Sequence, residues 1–102
     1  ILYIYVYKSD NGVIYLKVIY PLTLLPEKNI LPFYRTLLET NMYLNGYIIG
    51  VEKNMAILMS IIKIQDIDSE EARKMVEQIA KLTLDISDKL IEEFSAVRFE
   101  SQ

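Results

Sequence analysis

At 102 residues, 52% hydrophobic and 25% charged, the chain is long enough for one core and apolar enough to build it, so a single domain over residues 1–102 is expected and disorder is excluded. A net charge of −3, with no local run of Lys or Arg, argues against a nucleic-acid partner. His and Cys are both absent, which removes disulfides, thiol catalysis, Ser–His and Cys–His dyads and the ordinary zinc and haem sites.

The chain opens with ILYIYVYKSDNGVIYLKVIY, two runs of β-branched and aromatic residues (1–8 and 13–20) parted by Ser9-Asp10-Asn11-Gly12, a hairpin signal. A two-residue turn at Asn11-Gly12 would set Tyr5 opposite Val18 and mix tyrosines with aliphatics on both faces. A three-residue loop, Asp10-Asn11-Gly12 with Gly12 left-handed, shifts the pairing by one. Leu2, Ile4, Val6, Ile14, Leu16 and Val18 then share one face, and Tyr3, Tyr5, Tyr7, Val13, Tyr15, Lys17 and Ile19 the other. That clean sorting favours the second register, with the aliphatic face toward the core. The start at Ile1, already in strand pattern, suggests a further segment upstream.

Pro21 is expected to end the second strand. A helix should follow, with Asn29 as N-cap, Pro32 in its first turn, and Ile30, Phe33, Tyr34, Leu37, Leu38 and Met42 at helical spacing until Asn45-Gly46 stops it. Strands over 47–52 and 56–64 turn at Lys53-Asn54. Ile48 and Ile49 on one, Ile61 and Ile62 on the other, make both faces apolar, so the second face should be covered as well. Asp68-Ser69-Glu70-Glu71 is a capping-box pattern opening a long helix to about Phe94. Its stripe is Ala72, Met75, Val76, Ile79, Leu82, Ile86, Leu90 and Phe94, with acid-first pairs Glu70–Lys74, Glu77–Lys81 and Asp85–Lys89 on the polar side. Val97 and Phe99 should dock the tail. The expected class is α+β, a ββαββα antiparallel sheet with both helices on one face. The longest apolar stretch, MAILMSIIKI, falls far short of the roughly 20 residues of a membrane span.

Little in this chain carries chemistry. Glu52, Asp66, Asp68, Glu70 and Glu71 read as turn and helix-start acids rather than a metal or acid–base cluster, because no calcium-loop spacing is present. Gly12, Gly46 and Gly50 form no phosphate loop, and Gly50 within a strand suggests a bulge or a close backbone approach. No catalytic residue, metal or cofactor is expected. The tyrosine stripe is different: four such rings on one face rival the largest apolar patch of an ordinary monomer, roughly 300–600 Å². Tyr3, Tyr5, Tyr7 and Tyr15, with Ile48 and Ile62, are therefore the candidate dimer or partner surface.

Over about residues 30–90 the chain resembles the YbjN family, which shares the fold of class I type III secretion chaperones. Leu37, Leu38 and Asn41 match a "leucine–leucine–x–x–asparagine" helix end, and Ile67-Asp68-Ser69-Glu70-Glu71 matches the start of the last helix. The resemblance implies a small α/β homodimer that binds a protein partner without catalysis; the absence of cysteines leads to the separate expectation of a cytoplasmic address. The family order is helix, three strands, helix, two strands, helix; the first helix and one strand have no counterpart in this sequence. Rival expectations are a profilin-like regulatory subunit of the roadblock or longin kind, with helices on both sheet faces, and a small-ligand enzyme using carboxylates.

Overall fold

The computed structural model describes residues 2–98. The order is β1 (Tyr3–Lys8), β2 (Ile14–Leu24), α1 (Ile30–Asn41), β3 (Ile48–Glu52), β4 (Met55–Lys63), a short 3-10 turn (Ile64–Asp66) and α2 (Ser69–Phe94). The four strands form one antiparallel sheet in the order β1-β2-β4-β3, so the fold is the α+β, ββαββα arrangement expected.

The first hairpin adopts the three-residue loop. Lys8 pairs with Ile14, Tyr7 with Tyr15 and Tyr5 with Lys17. Gly12 sits at φ +86°, where a side chain would be strained, and the Ser9 N–H donates to the Val13 carbonyl at 2.9 Å. Asn11 helps close the loop by accepting from the Val13 N–H at 3.2 Å.

Pro21 does not end β2. The strand runs on to Leu24, with a shift in register between Pro21 and Thr23. Ladder alternation explains the tolerance. Odd-numbered β2 residues direct their backbone groups toward β1, and the described β1 pairing stops at Tyr3 and Ile19. The N–H that proline lacks would face away from β4, so the central ladder loses nothing.

Helix α1 begins after Asn29, but that residue caps it without a side-chain hydrogen bond, being itself left-handed at φ 58°. The helix ends at Asn41, earlier than Asn45-Gly46 suggests. Leu38 and Met42, expected on its apolar stripe, are exposed, while Phe33 and Leu37 are buried. Helix α2 is capped as its sequence implies: Asp68 accepts from the Glu71 N–H at 2.8 Å. Its buried stripe is Met75, Ile79, Thr83, Ile86, Ser87 and Leu90, whereas Leu84 faces solvent. On the polar side Arg73 pairs with Glu70 and Glu77 at 4.0 and 3.7 Å, in place of the expected lysine pairs.

Both helices pack on one face of the sheet. Phe33 and Leu37 of α1 and the α2 stripe meet Val18, Leu22, Ile49, Ala56 and Leu58 in a single core. Phe33 meets Phe94 edge-on at 5.4 Å, tying the start of α1 to the end of α2. After α2 the chain docks on β2: the Leu24 N–H donates to the Val97 carbonyl at 2.8 Å, and Arg98 bridges to Thr23 and donates to Ser87 Oγ at 2.9 Å. Ala96 supplies the buried side chain there; Val97 points outward, and Phe99 lies outside the described residues.

The helix layer stops short of β1. Ile4 and Val6 lie on the helix side, as their register requires, yet they are 55% and 62% exposed, and Ile14 is exposed too. The expectation that these aliphatics belong to the core is therefore corrected. Helix α2 lies over β2 and β4, and α1 over β3, so among the described residues the outermost strand is left largely uncovered.

Candidate contact surface on the open sheet face

Alternation sets the second face residue by residue. Cross-strand rows run Tyr7–Tyr15–Lys63, then Tyr5–Lys17–Ile61, then Tyr3–Ile19–Met59–Ile48, then Pro21–Ile57–Gly50, with Glu52 and Met55 at the far end. Among the described residues no helix or loop lies over this face; the core helices pack entirely on the opposite one. The rings of Tyr7 and Tyr15 stack at 5.4 Å with 21° between their planes, so part of the tyrosine surface is spent on cross-strand packing. Tyr3, Tyr5, Tyr7, Ile48 and Ile61 remain exposed, whereas Ile19 and Ile57 are buried by their neighbours in the sheet.

The sheet curls enough that opposite edges line one depression. Tyr5, Tyr7, Lys17, Ile19 and Glu52 enclose about 490 Å³, and Tyr3, Tyr5, Pro21, Lys53 and Met55 help line an adjoining 220 Å³. Gly50 adds to the hollow, since it places no side chain beside Ile57. Its backbone is ordinary and the register around it is regular, so it marks no bulge. Charge is sparse, with Lys17 and Lys63 toward one end and Glu52 beside Lys53 toward the other.

Of the candidate residues, Tyr3, Tyr5, Tyr7, Tyr15 and Ile48 share this face. Ile62 does not. It pairs with Leu16, lies on the helix side and packs against the core, and Ile61 takes the place assigned to it. Continuing the hairpin register into β4 separates the two, because Ile61 falls opposite Lys17. Glu52, read from sequence as a turn residue, lines the depression; only the curl of the sheet brings it toward Tyr5. The acids around the start of α2 act locally, Asp68 as a cap and Glu70 toward Arg73. Among the described residues no group of three or more acidic side chains is placed to hold a metal ion, and no helix is long and apolar enough to cross a membrane.

Chemically, the face offers tyrosine rings with hydroxyls that tolerate water, flanked by aliphatics, with one ammonium near its centre. Such a surface suits a protein segment with apolar side chains. No protein-family model matches the chain, and no curated protein matches it.

Proposed function

We propose that this is a non-enzymatic, homodimeric protein-binding module, and that the helix-free face of its sheet is where a partner protein docks. One observation carries the reading: among the described residues an apolar face spanning four strands has no covering element, although the same sheet's other face is covered by two helices. An exposed apolar area of that extent marks an interaction surface rather than ordinary solvent-facing sheet. The placement of both helices on one face favours a secretion-chaperone-like or YbjN-like module over a profilin-like subunit, which needs helices on both. The absence of His and Cys from the sequence supports a binding role over catalysis. The cytoplasm suits a chain without cysteines.

The test is to recover partners by crosslinking from the source cell and reconstitute binding with the purified partner. Isoleucine-methyl spectra should then shift at Ile48, Ile57 and Ile61, and Ile48→Lys with Ile61→Lys should abolish binding while the fold persists. A footprint confined to α1 and α2 would overturn the assignment.

A further inference from the structure

The two edges of the sheet are finished differently. On β3 the outward backbone groups of Ile49 are both occupied. Its N–H donates to Asn41 Oδ1 at 2.7 Å, and its carbonyl accepts from Asn41 Nδ2 at 3.0 Å. The side-chain amide stands where the peptide group of a neighbouring strand would stand. Edge β1 has no such closure. The Ser9–Val13 bond fixes the ladder phase, so Tyr3, Tyr5 and Tyr7 bond toward β2, while Ile4, Val6 and Lys8 aim their N–H and C=O groups at the free edge. Among the described residues no hydrogen bond reaches those groups. The strand also lacks the usual protections of an edge. It has no proline and no bulge, its only charge is Lys8 at one end, and all six residues are exposed.

The sequence of this edge is self-complementary. Tyr3-Ile4-Tyr5-Val6-Tyr7 reads the same by side-chain class in both directions about Tyr5. We propose that β1 pairs antiparallel with β1 of a second copy about a two-fold axis at Tyr5, joining two sheets into one of eight strands. This rests on the homodimer reading above and assigns its geometry. The axis sets Tyr5 against the partner's Tyr5, Tyr3 against the partner's Tyr7, and Ile4 against the partner's Val6. Aromatic then meets aromatic on the open face, and aliphatic meets aliphatic on the helix side.

The hydrogen-bond phase agrees independently. Ile4 and Val6 are the residues whose backbone groups point outward, and in this register they face each other as hydrogen-bonded pairs. Tyr5 meets its mate as the closer, non-hydrogen-bonded pair. A centre at Ile4 or Val6 would break the match of side-chain classes. Charge agrees too, because the two copies of Lys8 fall at opposite ends of the new ladder. The exposed fractions of the β1 side chains, 36% to 62% for Tyr3 through Tyr7, leave on the order of 400 Å² per copy to bury. That places the pair in the small, weak class of interfaces, with half-association in the micromolar range. The open faces of both copies then lie side by side and stay free for a partner.

Sedimentation velocity from about 5 to 500 µM tests this on the full chain, with Val6→Pro as the variant. The proline removes an outward N–H and costs the β1–β2 ladder no bond, so the dissociation constant should rise at least tenfold with the circular dichroism unchanged. Tyr5→Cys gives the second readout. The chain has no other cysteine, so oxidation should link position 5 to position 5 of the second copy, while Tyr3→Cys, whose sulfurs would lie roughly 13 Å apart, should not crosslink. If Val6→Pro loses its structure, the two thiol variants decide. A wild-type dimer that ignores Val6→Pro, or crosslinks equally through Tyr3→Cys, overturns the edge pairing and leaves the homodimer reading standing on a face-to-face contact. A wild-type chain monomeric throughout overturns both. A monomer in which the Ile4 and Val6 amides exchange slowly would show instead that this chain covers its own edge.

Discussion

Ile79 is wholly buried on α2, against the helix-covered face of the sheet, and Lys81 is exposed two residues further along. Ile79→Ala removes three carbons from that core. At about 0.8 kcal/mol for each buried carbon, the transfer loss is about 2.4 kcal/mol. The unfilled space adds to this, because the wall opposite is built from strand residues that cannot close on it without breaking ladder bonds; the total should fall between about 2 and 5 kcal/mol. Lys81→Ala should stay within about 0.5 kcal/mol. Urea denaturation followed by circular dichroism at 222 nm compares the two, and the midpoint of Ile79→Ala should drop with its slope unchanged. Equal midpoint losses, or an Ile79→Ala variant as stable as the parent, would mean that the wrong face of α2 has been placed against the sheet.

Three further outcomes follow from particular contacts. Asn41→Ala deletes both side-chain bonds to Ile49 and should cost about 1–3 kcal/mol while opening a second sheet edge, so light scattering should show growth beyond a dimer. The Thr83 hydroxyl is buried in α2 with no hydrogen-bond partner among the described residues, so Thr83→Val, which keeps the shape and removes the polar atom, should raise stability by about 1 kcal/mol in the same urea assay. Burial raises the pKa of Tyr47 above its ordinary value of 10.0. The folded state therefore holds that proton more tightly, and this stabilisation is complete below the unfolded pKa and lost as pH rises through the folded one. Chemical denaturation between pH 9 and 12 should show an alkaline decline that is shallower in Tyr47→Phe.

Where local pattern and tertiary packing agree, the sequence was readable. The first hairpin's register could be chosen because only one alignment separates tyrosines from aliphatics, and the start of α2 because Asp68 precedes Glu71 by one helical turn. The fold class followed from two hairpins and two one-sided helices. What escaped depends on contacts between distant segments. Pro21 lies inside β2 because its missing N–H points away from β4, so the central ladder loses no bond. Ile4 and Val6 have a core-like pattern yet stay exposed, because among the described residues the helices pack over β2, β4 and β3 rather than over the outer strand. Ile61 and Ile62 are neighbours of the same type, and only the pairing of β2 with β4 decides which faces the tyrosines. The role of Asn41 in closing the β3 edge at Ile49 rests on its reach to that residue, eight positions on. Glu52 joins the candidate site only through the curl of the sheet.

The central claim is that the helix-free face of the sheet is engaged by protein in the cell. Hydroxyl-radical footprinting tests it most directly, by comparing the purified chain with the same chain in intact source cells. Tyr43, in the turn that follows α1 and 86% exposed, serves as the internal reference away from the sheet face. Protection in the cell of Tyr15, Ile48 and Ile61, with Tyr43 labelled as in the purified protein, is the predicted result. Unchanged labelling across the sheet face, or protection of Tyr43 and the helices instead, would contradict it.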